Sequence, residues 1–178
     1  MEHPSHKPRD QSLSVGNADG KAAIAAAWQT GLIGSQLDVE INVLTRHGSS
    51  LLTELINHLL LPVKLNCVCY LAMMYLRTST NNRANPSEIS RAIGDTRTNM
   101  TRICDELVTK GLMHRVSNAE DRRRVDLSLT HKGIALLQEV VPLVRDRVAS
   151  VMSEFSREEK MLLVQLMARL NRSLEAYL

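Results

Sequence analysis

The sequence predicts a mostly α chain with one small β-hairpin. Three observations lead there. Apolar residues recur at three- and four-residue spacing over most of the chain, as in helices with one buried face. Aromatic residues make up only 3% of the 178, and a core built from Leu, Ile, Val, Met and Ala suits helix packing better than a β-sandwich. Only Leu112–Val116 and Val125–Leu129 read as strands, with the polar tip Ser117–Arg124 joining them.

The elements follow in order. Residues 1–21, rich in His, Pro, Ser, Asp, Gly and Lys, read as a disordered tail. Residues 22–36 read as an extra N-terminal helix and linker, with Trp28 docking on the main body. Leu37–Leu61 is a long helix stopped by Pro62. Its broad apolar surface, including Ile41, Leu44, Leu51, Leu52 and Leu55, suggests two partners: its own domain and a second copy of the chain. Val63–Arg77 reads as a well-buried helix, and Thr78–Ala84 as a loop. Asn85-Pro86-Ser87-Glu88 is a helix start: Asn85 caps, Pro86 takes the first helical position and Glu88 reaches back. That helix is only about two turns long and stops at Gly94. The next begins at Asp95 or Thr96 and ends at Gly111. Thr130 caps a helix to about Val151, bent or offset near Pro142. Ser156 and Glu159 form a capping box for a last helix reaching Leu178.

The helix over Arg97–Lys110 has two distinct faces. Met100, Ile103, Cys104 and Leu107 share one, and Arg97, Thr98, Thr101, Arg102 and Asp105 the other. A short helix, a tight turn, this second helix and then a basic hairpin form a winged helix-turn-helix pattern, whose use is to hold duplex DNA. Arginine suits guanine, Asn99 at the helix N-terminus suits adenine, and threonine suits phosphate or a thymine methyl. Asp105 would repel phosphate if unpaired, so a partner is expected in Arg102 or a wing arginine. At the hairpin tip, Arg122 and Arg124 alternate with Arg123. A narrow minor groove attracts an inserted arginine, and Asp121 can hold one extended through a bidentate pair.

Charge points to the same stretch. The chain's net charge is only +3, but Arg97 to Arg124 holds seven basic against four acidic residues, an excess equal to that of the whole chain. Three cysteines, Cys67, Cys69 and Cys104, lie in apolar helical runs. That argues against a disulfide framework and fits a reducing, cytoplasmic setting. No apolar run approaches the ~20 residues of a membrane span, so no membrane partner is expected.

Pro86–Leu112, followed by Asp121-Arg122-Arg123 and Leu127-Ser128-Leu129-Thr130-His131-Lys132-Gly133, resembles the MarR family of winged helix-turn-helix regulators and its D-x-R…L-x-L-T-x-K-G wing signature. The run Thr96 to Leu107 is similar to the EmrR-like branch of that family. The resemblance implies a homodimer whose residues 37–62 and 130–178 supply dimerisation helices, flanking a DNA-binding module at 63–129. It implies a repressor of a pseudo-palindromic operator, released by a small phenolic, aromatic-acid or lipophilic ligand. Arg123 would enter the minor groove with Asp121 orienting it, while Arg97, Thr98, Asn99, Thr101 and Arg102 face the major groove. Urate-responsive members carry a ligand-binding Asp about where Val68 stands here, and peroxide-sensing members a Cys early in the first core helix, where this chain has none.

Other groups suggest further chemistry. Arg46, His47, His58, Asn66 and Tyr70 are candidate polar groups for an effector pocket, since an aromatic carboxylate needs a cation and a donor in an apolar setting. Cys67 and Cys69 are two apart on a helix and point to different faces, a poor geometry for one metal ion. No nucleophile elbow, P-loop or HExxH pattern is present, so neither catalysis nor a cofactor is expected. The competing readings are a redox-responsive regulator of the same fold, a winged-helix protein-interaction module without DNA binding, and a small thiol-dependent hydrolase.

Overall fold

The computed structural model describes residues 35–117 and 125–177. The expected tail and extra helix, with Trp28, lie outside these residues. So do the hairpin tip and Leu178. The chain divides into two units, residues 1–52 and 53–178. Helix α1, Gln36–Leu60, runs across that boundary. At its start Ser35 Oγ accepts from the Asp38 backbone N–H at 3.4 Å. Along its first-unit stretch Leu37, Ile41, Leu44, Leu51 and Leu52 are exposed in the single chain.

The second unit contains the core. After α1 the chain makes a 3-10 turn at Leu61–Val63, then passes through a left-handed Lys64 (φ 55°). Asn66 then caps α2, Cys67–Thr78, accepting from the Cys69 N–H at 2.8 Å. The helix expected to begin at Val63 therefore begins four residues later. A left-handed residue cannot continue a right-handed helix, and the Asn66 cap fixes the new start. Within the expected loop lies a further 3-10 turn, Thr80–Asn82, with Asn81 and Asn82 both left-handed.

Helix α3, Pro86–Ile93, starts on a complete capping box. Asn85 Oδ1 accepts from Ser87 and Glu88, and Glu88 Oε2 accepts from the Asn85 N–H at 3.1 Å. Gly94, at φ 72°, ends it as the sequence predicts, because the left-handed region costs glycine nothing. Thr96 caps α4, Arg97–Thr109, by accepting from the Asn99 N–H at 3.2 Å.

Strands β1, Met113–Ser117, and β2, Val125–Leu129, pair antiparallel, with Met113 opposite Leu129 and Arg115 opposite Leu127. Leu127 also exchanges backbone hydrogen bonds with Ala84, which pins the segment before α3 to the sheet. Thr130 caps α5, His131–Val151, which continues as one helix through Pro142. Helix α6, Arg157–Glu175, starts on the expected Ser156–Glu159 capping box and buries none of its residues.

The core of this unit is aliphatic and sulfur-rich. Leu60, Cys69, Met73, Leu76, Ile89, Met100, Ile103, Leu107, Met113, Leu127 and Val140 are its largest fully buried side chains. They come from the end of α1 and from α2, α3, α4, both strands and α5. Among the described residues no single helix is long and apolar enough to cross a membrane.

Candidate nucleic-acid interface

Helix α4 divides as its sequence dictates. Met100, Ile103, Cys104 and Leu107 are at most 2% exposed. Arg97, Thr98, Thr101, Arg102 and Asp105 are exposed and line a shallow open depression on the outer face. The apolar face fixes the helix to the core and leaves the polar face open.

The polar side chains of α4 are interconnected. Asn99 Nδ2 donates to Asp95 Oδ2 at 2.7 Å, and Asn99 Oδ1 accepts from Arg102 at 3.0 Å. Arg102 also reaches Glu106 at 3.5 Å, and Glu106 accepts from Lys110 at 2.6 Å. Lys110 Nζ donates in turn to the Lys64 carbonyl at 2.7 Å, tying the end of α4 to the turn after α1. Thr101 Oγ1 donates back to the Arg97 carbonyl at 3.0 Å.

Asp105 does not take Arg102 as its partner. Among the described residues it pairs with Arg115, midway along β1. Sequence reasoning missed Arg115 because its side-chain direction depends on the strand register. Period-two alternation from Met113, the first buried position of β1, is the signal that bears on it.

The end of the wing signature is structural. Thr130 Oγ1 donates toward the carbonyls of Gly111 (2.7 Å) and Leu112 (3.2 Å), and Lys132 Nζ donates to the Lys110 carbonyl at 2.9 Å. These residues satisfy backbone carbonyls at and just past the end of α4. Gly133 is required by closeness: a Cβ there would lie 2.2 Å from the Leu112 carbonyl oxygen. Arg122, Arg123, Arg124 and Asp121 lie outside the described residues.

The candidate effector groups are differently placed. Arg46 and His47 are exposed in the first unit, Arg46 donating to Asn42 at 3.0 Å. In the second unit His58 is exposed, the Asn66 side-chain oxygen is taken up as the α2 cap, and Tyr70 is 7% exposed in the core. Burial pushes the Tyr70 hydroxyl above its usual pKa, and the nearby Cys67 adds to that.

All three cysteines are free and buried. Burial raises each thiol. Cys104 is pushed up to about 11, with Asp105 adding to the effect and Arg115 opposing it. The thiolate, which is the reactive form, is thereby disfavoured at neutral pH. Among the described residues no group of three or more His, Cys, Asp or Glu side chains could hold a metal ion.

The comparisons with known proteins agree with this geometry. The MarR family model matches residues 72–125, from within α2 to the start of β2. The transcriptional repressor MprA of Escherichia coli K12 is 35% identical over 133 residues, covering 75% of this chain and 76% of MprA. Among solved structures, a mutant MarR from E. coli complexed with operator DNA superposes with a TM-score of 0.65 at 25% identity, covering 76% of this chain and 99% of that one. AbsC, a MarR family regulator from Streptomyces coelicolor, gives 0.70 at 20% identity, covering 81% and 98%. With a curated relative at this identity and coverage, and with the winged helix-turn-helix assembled around α4, the chain belongs to the MarR family and is a transcriptional regulator, not an enzyme.

Proposed function

We propose that the protein is a homodimeric repressor that reads a pseudo-palindromic operator and releases it when a small phenolic, aromatic-acid or lipophilic ligand binds. The observation that carries the reading is the division of α4: four nearly inaccessible apolar side chains on one face, five exposed polar ones on the other. Each copy of α4 enters a major groove, and the hairpin tip, with Arg122, Arg123 and Arg124, follows the backbone into the adjacent minor groove. Arg123 is the inserted side chain and Asp121 its orienting partner. DNA binding by the MarR relative crystallised on its operator, and the repressor role of MprA, support this.

Dimerisation is supported by α6. A 19-residue helix that exposes Met161, Leu162, Leu163, Val164 and Leu166 in the single chain leaves an apolar surface that a second copy covers. The ligand acts by favouring a dimer in which the two α4 helices are wrongly spaced for B-form DNA. Such a regulator works in the cytoplasm, where its operator is.

The test is binding to labelled genomic fragments. Half-sites should lie about one helical turn apart, ~10 bp centre to centre. With 6–10 phosphate contacts, affinity falls roughly 10³–10⁵-fold between 50 and 200 mM salt. Arg123→Ala weakens binding by about 1–3 kcal/mol. A protein-interaction module gives no salt-sensitive shift, and that result ends the repressor reading.

A further inference from the structure

We infer that Arg102 is the base-reading side chain at the centre of α4, and that Asp95 and Asn99 are positioning residues that aim it. The inference rests on the DNA-binding reading above and changes the role of Asn99 within it.

The geometry is a chain of committed hydrogen bonds. Asp95 accepts twice: from the Thr96 N–H at 2.6 Å and from Asn99 Nδ2 at 2.7 Å. Asn99 then accepts from Arg102 at 3.0 Å. Chemistry fixes the sense of the amide. A carboxylate only accepts and a guanidinium only donates, so the Asn99 nitrogen must face Asp95 and its oxygen Arg102. Turning that amide toward an adenine edge breaks these bonds. Asn99 is also only half-buried, between the two groups it joins.

Arg102 is held from the other side by Glu106, at 3.5 Å. Glu106 is itself held by Lys110, and Lys110 by the Lys64 carbonyl. The guanidinium is thus bracketed along the helix axis, yet its side chain is 64% exposed. Of its five N–H donors these two contacts leave three, enough for a bidentate contact with one guanine. Holding a long side chain in place before binding removes much of the rotamer entropy that recognition would otherwise cost.

The experiment is selection of duplexes from a randomised library by the full chain, followed by anisotropy on the selected duplex and on single-base-pair variants of it. Arg102→Ala should flatten the preference at one base pair, lowering discrimination there by about 5- to 150-fold. Asn99→Ala should weaken the preference at that same base pair, leave the salt slope unchanged, and add nothing on top of Arg102→Ala. Asp95→Ala should mimic Asn99→Ala. Because Asp95 also serves the turn, Asp95→Asn, which keeps an acceptor toward Asn99, should restore part of the preference. Loss of preference at a different base pair in Asn99→Ala would mean that Asn99 reads a base itself and would overturn the inference. So would an Asn99→Ala profile identical to the wild type. If the wild-type chain enriches no duplex, the repressor reading falls first and takes this inference with it.

Discussion

Arg115 on β1 is ion-paired with Asp105 on α4, so the helix proposed for the major groove and the strand leading into the wing are joined through their side chains. Both partners are more than half exposed. Such a pair contributes less than about 1 kcal/mol to stability, and its importance lies in direction and charge. It neutralises a carboxylate that, in the proposed complex, would otherwise face phosphate.

Removing that carboxylate frees Arg115 for the DNA backbone. Asp105→Asn should therefore tighten binding to a duplex of arbitrary sequence and steepen the salt dependence by about one counterion. Fluorescence anisotropy between 50 and 200 mM salt measures both. An unchanged slope would show that Arg115 does not reach the backbone once released.

Gly133→Ala should destabilise the fold by about 1–3 kcal/mol, as overpacking does. In an open helix interior the same change would be favourable, so the expected sign depends on the Leu112 carbonyl oxygen 2.2 Å from the added carbon. That oxygen also accepts from the Thr130 N–H at 3.0 Å, and moving it disturbs the α5 cap. Urea unfolding followed by circular dichroism gives the value.

Cys104 supplies a pH dependence. Its folded pKa of about 11 lies above the unfolded value of ~8.5, so the neutral thiol favours the folded state. That contribution is complete below about pH 8.5 and is lost as pH rises toward 11. Cys67 and Cys69 shift in the same direction. Urea midpoints measured from neutral pH to about pH 10 should fall on the alkaline side, and less so in Cys104→Ala. Iodoacetamide should label Cys104 in the native protein near neutral pH far more slowly than in urea. Rapid native labelling would revive the redox-responsive reading.

The double substitution of Leu162 and Leu166 by Glu places two charges on the exposed apolar surface of α6. The wild type should sediment at twice the chain mass and the variant as a single chain. Operator affinity should drop by at least about a hundredfold, because two linked modules gain that much from effective concentration. A wild type that sediments as one chain removes the basis of the half-site spacing.

Local signals in the sequence carried most of this architecture. The Asn85–Glu88 and Ser156–Glu159 capping boxes, the stop at Gly94 and the Thr130 cap all involve residues within four positions of one another. The two faces of α4 follow from helical periodicity alone. What was missed was set at longer range or by unusual backbone. The break before α2 hinges on a left-handed Lys64, which its side chain does not announce. Pairing of Asp105 with Arg115 needs the strand register, and the Lys110–Lys64 link joins residues 46 apart. The positioning role proposed for Asn99 was not legible either. Both Asp95 and Arg102 lie within its reach along the helix, and only coordinates reveal that both are engaged.

Thr130 and Lys132 fasten the base of the hairpin to the carbonyls of Gly111 and Lys110, just past the end of α4. These bonds sit at the root of the hairpin, where they tie the end of the helix before it to the start of the helix after it. A change at Thr130 or Lys132 would therefore be felt by both helices at once, and not by the hairpin alone.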